Sequence, residues 1–182
     1  PSGRGHRLAA PPVKVLAREL GLPVIQPEKL RGEENRPFFQ ALAPDCLVVV
    51  AFGQILPGWL LQSAKVAAVN VHGSLLPKYR GAAPVAWAVL NGEARSGVCT
   101  MLMVEQLDAG PVLLTREVPV DENITAGDLA SQLSRVGAAL LAETLDHLED
   151  GSLRPVPQDE TQVSWAPRIT KSMSPIRWEN EA

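Results

Sequence analysis

The 182-residue sequence has few aromatic side chains and few cysteines. Aromatic residues make up 4% of the chain, so aliphatic side chains must supply most of a hydrophobic core. The two cysteines, Cys46 and Cys99, lie far apart, and both adjoin apolar runs. Two such residues provide neither a disulfide framework nor the ligand spacing of a zinc site. We therefore expect two buried free thiols, no metal centre and an intracellular, reducing compartment.

Long apolar runs and an excess of positive charge are also missing. No run approaches the roughly 18 apolar residues that a membrane-spanning helix requires. The formal net charge is −3, so no overall positive field favours nucleic-acid binding, and a bound RNA would need a local basic patch. The sequence contains no P-loop and no G-x-G-x-x-G segment, which argues against a nucleotide cofactor.

Apolar patterning predicts strands that alternate with helices. The predicted strands cover 22–25, 47–51, 66–71, 97–104 and 112–118. The predicted helices cover about 12–20, 38–42, 57–63 and 83–91. A longer helix begins at Thr125, where Asp128 completes a start that resembles a capping box, and ends at Gly151. This alternation favours an open α/β sheet with helices on both faces.

One stretch carries most of the candidate chemistry. It runs from Asn70 to Pro84 and has the sequence NVHGSLLPKYRGAAP, and a lone acid follows at Asp108 in the turn LDAG. Asn70 and His72 are two residues apart, so their side chains project from the same side of an extended strand. One amide, one imidazole and a carboxylate from a separate loop can together hold a developing oxyanion and move a proton.

The ordered pattern Asn-x-His, Ser-Leu-Leu-Pro-x-x-Arg-Gly and Leu-Asp-x-Gly resembles the formyltransferase family that uses 10-formyltetrahydrofolate. Flanking segments such as SGRG at 2–5 and PQDE at 157–160 resemble the members that act on methionyl-tRNA. The resemblance covers roughly residues 1–170. It implies a Rossmann-like, open, mostly parallel sheet with helices on both faces that lacks its first strand, helix and strand. It also implies an incomplete catalytic domain at 1–162 and a linker at 163–182 toward an absent C-terminal β-barrel domain.

The resemblance further implies roles for individual residues. Asn70 and His72 would donate hydrogen bonds to the oxyanion, and Asp108 would pair with His72 and relay the proton. Arg4 and Arg7 would contact the tRNA. The folate would bind to residues that follow the two buried strands or precede Asp108, namely Phe52, Gly53, Gln54, Ile55, Leu56, Ser74, Leu75, Leu76, Pro77, Arg80, Gly81 and Leu107.

The implied activity is formyl transfer from 10-formyltetrahydrofolate to the amino group of initiator methionyl-tRNA, without a metal. The resemblance implies a monomer at full length, in a bacterial cytoplasm, a mitochondrion or a plastid. Two alternatives stay open. The first is another enzyme of the same fold, such as glycinamide ribonucleotide formyltransferase or formyltetrahydrofolate hydrolase, and the second is an inactive fragment that only binds folate. A sheet without its first strand would expose an apolar edge, which predicts reduced stability and solubility in isolation.

Overall fold

The computed structural model describes residues 10–174, and every structural statement below refers to that part of the chain. Nine helices and strands follow one another in this range: α1 (Pro12–Glu19), α2 (Arg36–Leu42), β1 (Cys46–Val50), α3 (Gly58–Leu61), β2 (Ala67–His72), α4 (Pro84–Leu90), β3 (Arg95–Leu102), β4 (Val112–Pro119) and α5 (Ala126–Glu149). Short 3₁₀ turns lie at Glu33–Asn35, Glu160–Gln162 and Lys171–Met173.

The predicted alternation of strands and helices is confirmed, with one exception. Residues 22–25 form no strand. Pro23 cannot donate a ladder hydrogen bond, and the described sheet ends at β1, so nothing pairs with this segment.

The four strands form one open sheet in the order β1-β2-β3-β4, which confirms the open α/β architecture. The expected parallel pairing holds only for β1 and β2, because the β2–β3 and β3–β4 pairs are antiparallel. After α4 the chain returns antiparallel to β2, so that His72 at the end of β2 lies opposite Cys99 and Val69 lies opposite Leu102.

The helix α5 covers one face of the sheet by packing on β3 and β4. Thr125 caps it, since its Oγ1 accepts a hydrogen bond from the Asp128 backbone N–H at 3.1 Å. A Cβ on Gly137 would lie 3.3 Å from methyl groups of Val71 and Val98, so glycine permits this close packing. The core on this face is aliphatic, as the low aromatic content predicts, and it is built around Ala88, Val98, Val118, Leu129, Leu133 and Leu140.

The edge of the described sheet at β1 exposes apolar side chains. Val50 is 56% exposed, and α1 contains no buried residue, with Val13 79% exposed. The apolar edge predicted above is therefore present in residues 10–174. Its effect on stability stays a prediction. None of the described helices is long and apolar enough to cross a membrane.

Candidate active site

The strand β2 ends in the Asn-x-His motif and presents it on the face away from α5. Val71 lies against Gly137 of α5, and successive strand residues point to opposite faces. Asn70 and His72 therefore share the opposite face, where Met101 and Cys99 are their register partners on β3. The side-chain amide of Asn70 is partly exposed and makes no hydrogen bond within residues 10–174, so it is free to contact a ligand.

The imidazole of His72 is buried and oriented by a backbone carbonyl. Its Nε2 lies 2.9 Å from the carbonyl oxygen of Tyr79. A carbonyl can only accept, so Nε2 carries a proton, and Nδ1 is the nitrogen left for proton transfer. The Nδ1 atom lies 3.8 Å from Asp108 Oδ2, a separation longer than a hydrogen bond but short enough for electrostatic attraction.

The carboxylate of Asp108 is held over His72 by the loop between β3 and β4. Its Oδ2 accepts a hydrogen bond from the Gly81 backbone N–H at 2.8 Å. The backbone of Asp108 has a φ of +48°, a left-handed conformation that aspartate tolerates better than most residues. The structure thus brings the imidazole and the carboxylate together, on the same face of the sheet as Asn70.

The side chain of Arg80, predicted to bind folate, is instead fully buried at 0% exposure. Its guanidinium donates to both carboxylate oxygens of Glu160, at 2.7 and 3.2 Å, and to Gln158 Oε1 at 3.0 Å. These contacts argue against a contact between this side chain and the folate. The guanidinium instead links the loop after β2 (residues 73–83, the motif loop) to residues 158–160.

Ser74 and Leu75 also make internal contacts. The hydroxyl of Ser74 is buried and donates to the Lys78 carbonyl at 2.6 Å, which closes the turn after His72. Leu75 packs against Gly97, where a Cβ would lie 2.4 Å from its methyl group. The Leu76–Pro77 peptide bond is cis. These residues shape the loop that holds His72.

The loop after β1, which carries five of the predicted folate residues, is largely exposed. Phe52 is 46% exposed and Ile55 64% exposed, and Leu107 near Asp108 is also exposed. Gln54 anchors the loop by accepting from the Leu30 backbone N–H at 3.2 Å. A cavity of about 420 Å³ lies beside it, with Ile55, Leu56 and Glu105 in its wall, but the three catalytic candidates do not line this cavity.

The remaining predicted residues differ in how the structure describes them. Leu56, Leu76, Pro77 and Gly81 are partly exposed and lie in the loops after β1 and β2. Arg4 and Arg7 lie outside the described residues, so their contact with tRNA stays a prediction.

The remaining reactive groups near the site are the two thiols and the possible metal ligands. Both cysteines are free; Cys99 is buried, whereas Cys46 is only partly buried because it begins the edge strand β1. Burial raises the pKa of the Cys99 thiol, which disfavours a nucleophilic thiolate beside His72. Within residues 10–174, no three His, Cys, Asp or Glu side chains are grouped to hold a metal ion.

Sequence reasoning assigned no role to Gln158 or to the Tyr79 carbonyl. Gln158 Nε2 donates to the carbonyl oxygens of Asp108 and Gly110, at 2.8 and 2.7 Å. In the sequence, the segment PQDE at 157–160 carries only a family resemblance. No local pattern connects a glutamine with an aspartate 50 positions earlier.

Residues 1–145 match the formyl transferase family, and the chain belongs to that family. Over its whole length it is 49% identical to a methionyl-tRNA formyltransferase from Synechococcus sp. (strain JA-3-3Ab) and 48% identical to one from Pelobacter propionicus. The chain covers 57% of each of these proteins, so it spans little more than half the length of the curated relatives it matches.

Two solved structures show the same fold at lower sequence identity. A sugar N-formyltransferase from Shewanella sp. superposes with a TM-score of 0.75 at 21% identity, over 94% of this chain and 66% of that chain. HypX from Aquifex aeolicus, solved in complex with tetrahydrofolic acid, has a TM-score of 0.69 at 21% identity, over 81% of this chain and 26% of that chain. These likenesses extend the fold assignment to most of the chain.

Proposed function

We propose that this chain is the catalytic portion of an enzyme that transfers a formyl group from 10-formyltetrahydrofolate to the amino group of initiator methionyl-tRNA. The observation that carries the proposal is the placement of Asp108 over His72, on the face that also presents Asn70. The full-length similarity to methionyl-tRNA formyltransferases supports the acceptor. The tetrahydrofolic acid bound to HypX, which shares the fold, supports the donor.

The chemistry begins when the amine nitrogen attacks the formyl carbon attached to N10 of the folate. A carbon–nitrogen bond forms, the carbonyl oxygen becomes negative, and the bond from carbon to N10 then breaks. The amine loses one proton, and the departing N10 gains one. Asn70 would donate its amide N–H to the negative oxygen. The loss of one such donor typically lowers the rate by about 10² to 10³.

His72 and Asp108 would stabilise the same intermediate and handle the proton. Because Nε2 of His72 is committed to the Tyr79 carbonyl, the protonated ring presents its second N–H from Nδ1, toward the space beside Asp108. Asp108 would accept the amine proton and pass it toward N10, directly or through water. The Gly81 N–H, which donates to Asp108 Oδ2, holds the carboxylate in position for this step.

The pteridine ring of the folate would lie along the loop after β1 and the loop before Asp108. Phe52, Ile55 and Leu107 expose apolar surface there, which a flat ring can cover. Backbone groups at Gly53 and Leu56 can read the polar edge of the ring. The predicted contacts of Arg4 and Arg7 with the acceptor tRNA complete this proposal.

The compartment and the oligomeric state belong to the same proposal. The free thiols of Cys46 and Cys99 support a reducing, intracellular setting. A monomer at full length follows from the family resemblance, and sedimentation velocity of the complete protein tests it.

The decisive experiment offers several acceptors to the complete protein that carries this chain. Radiolabelled 10-formyltetrahydrofolate is supplied with methionyl-tRNA, with glycinamide ribonucleotide, or with water alone. We expect label in methionyl-tRNA at a kcat/KM far above the other two. Preferred transfer to glycinamide ribonucleotide or water would replace the proposal by one of the alternatives. Binding of a folate analogue without turnover would indicate a folate-binding fragment.

Substitutions at the three candidates test the mechanism. His72→Ala and Asn70→Ala should each lower turnover at least about 10²-fold. Asp108→Asn should lower turnover and change its dependence on pH, because the amide cannot accept the proton. His147→Ala is the matched control, since His147 lies half-exposed at the end of α5. Wild-type rates in His72→Ala or Asn70→Ala would remove the assigned roles, and an unchanged pH profile in Asp108→Asn would remove the proton relay.

A further inference from the structure

We propose that Gln158 is a positioning residue for Asp108, and that it links the Asp108 loop to the buried side chain of Arg80, which is paired with the exposed Glu160 carboxylate. The inference rests on the proposed function, because its consequence is read in the rate of formyl transfer. Asp108 and Gln158 lie on opposite sides of the helix α5 in sequence, 50 positions apart. The segment after α5 therefore returns to the candidate active site and contacts the backbone of the Asp108 loop.

The side-chain amide of Gln158 uses all of its principal hydrogen-bonding groups at this position. Its two Nε2 hydrogens go to the carbonyl oxygens of Asp108 and Gly110, and its Oε1 accepts from Arg80 Nε. Carbonyl oxygens only accept and a guanidinium only donates, so this environment admits one orientation of the amide. Among neutral side chains, an amide is the one that offers two N–H donors and a carbonyl acceptor together.

The anchor for this amide is the buried side chain of Arg80. The guanidinium of Arg80 is 0% exposed and makes a bidentate pair with Glu160, and this hydrogen bonding lowers the pKa of the Glu160 carboxyl. The backbone of Arg80 is fixed as well. Its N–H donates to the Ser164 carbonyl at 2.9 Å, and its carbonyl accepts from the Ala166 N–H at 2.7 Å. Residues 158–166 and the motif loop thus form one hydrogen-bonded unit.

The position of Asp108 depends on this hydrogen-bonded unit more than the positions of Asn70 and His72 do. Asn70 and His72 belong to β2, whose backbone pairs with strands on both sides. Asp108 sits in a connecting loop with positive φ, and its carboxylate has one backbone donor, from Gly81. Gln158 binds the backbone of the loop, through the carbonyl oxygens of Asp108 and Gly110. A displacement of about 1 Å at a reacting group can cost about 10²-fold in rate.

The test is the variant Gln158→Glu in the complete protein, assayed for formyl transfer to methionyl-tRNA. Glutamate has nearly the same size and can still accept from Arg80, but it loses both N–H donors and repels the two carbonyl oxygens. We expect kcat to fall by about 10-fold to 100-fold, with KM for the tRNA within about twofold of wild type. Gln40→Glu is the matched control, because it makes the same change at an exposed residue of α2, outside this hydrogen-bonded unit. Its kcat should not change.

Combination with Asp108→Asn separates positioning from a general effect on folding. If Gln158 acts through Asp108, then Gln158→Glu should cost less than about twofold in a protein that already carries Asp108→Asn. A residue that only stabilises the fold would lower the rate by the same factor in both backgrounds. Should Gln158→Glu fail to fold, Gln158→Met removes the same donors without adding charge, and its rate is interpreted in the same way.

The possible outcomes distinguish this inference from the function on which it rests. An active wild-type protein with equally active Gln158→Glu, or with fully multiplicative effects of the two substitutions, overturns the inference alone. A folded wild-type protein without formyl transfer to any acceptor overturns the proposed function, and the inference with it. A fall in kcat that Asp108→Asn abolishes supports both.

Discussion

Replacement of Gly110 by alanine should test the placement of the Asp108 loop most directly. Gly110 is buried, two residues after Asp108, at the point where the loop passes the end of β3. A Cβ at this position would lie 1.8 Å from the carbonyl oxygen of Leu102 and 3.3 Å from Met101 Cε. The Leu102 carbonyl belongs to the last residue of β3, a strand paired on both sides, so we expect the loop to move rather than the strand.

The size of the effect follows from this geometry. Ordinary van der Waals contact begins at 3.4 Å, so Gly110→Ala must displace the loop by about 1.6 Å. Overpacking of this kind typically costs about 1 to 3 kcal/mol of stability. A displacement of more than 1 Å also breaks the hydrogen bond from Gln158 to the Gly110 carbonyl and moves Asp108 away from His72. We therefore expect turnover to fall by about 10² or more.

The assay combines formyl-transfer kinetics with urea denaturation of the complete protein. Gly127→Ala is the matched control, because Gly127 lies in the first turn of α5 and its added methyl group would meet only Thr125 Oγ1, at 3.7 Å. That variant should keep the wild-type rate and gain up to about 1 kcal/mol from the better helix propensity of alanine. Gly110→Ala with wild-type turnover would show that the loop does not hold Asp108 as described.

Two further substitutions probe the fold around the site. Gly137→Ala should have a lower urea midpoint than Gly127→Ala, because its Cβ would lie 3.3 Å from both Val71 and Val98. An equal increase of the urea midpoint in both variants would show that α5 can shift away from the sheet without loss of stability. Burial and the hydrogen bond to Glu93 raise the pKa of the Tyr79 phenol in the folded protein. The neutral phenol therefore contributes stability that is complete below pH 10 and is lost as the pH rises through the folded-state pKa. Tyr79→Phe removes this group, so the stability of the variant should fall less steeply above pH 10. Identical pH dependence of unfolding in both proteins would contradict this.

The periodicity of the sequence predicted the features that are set by neighbouring residues along the chain, such as the face of a strand and the start of a helix. Alternation along β2 placed Asn70 and His72 on one side, and the capped start at Thr125 gave the start of α5. The pairing direction of β3 was beyond such reasoning, because the apolar pattern of a strand is the same in a parallel and in an antiparallel pair.

Long-range contacts explain the remaining differences. Arg80 stands beside Gly81 in a motif that looks functional throughout, and only the distant partners Gln158 and Glu160 reveal that its charge is used internally. The resemblance supplied the pairing of Asp108 with His72, which no local pattern contains. The division into a domain at 1–162 and a linker at 163–182 stays a prediction. Any boundary must accommodate the hydrogen bonds of Ser164 and Ala166 with the motif loop.

The site is therefore supported in two physically different ways. Asn70 and His72 take their positions from a paired strand, where a side chain can be changed while the backbone stays in place. Asp108 takes its position from three side-chain hydrogen bonds that link segments far apart in sequence. Replacement of Gln158 removes two of these bonds without loss of a strand or a helix. Substitutions that weaken catalysis by moving a catalytic group should thus concentrate around Asp108, Gly110 and Gln158 rather than along β2.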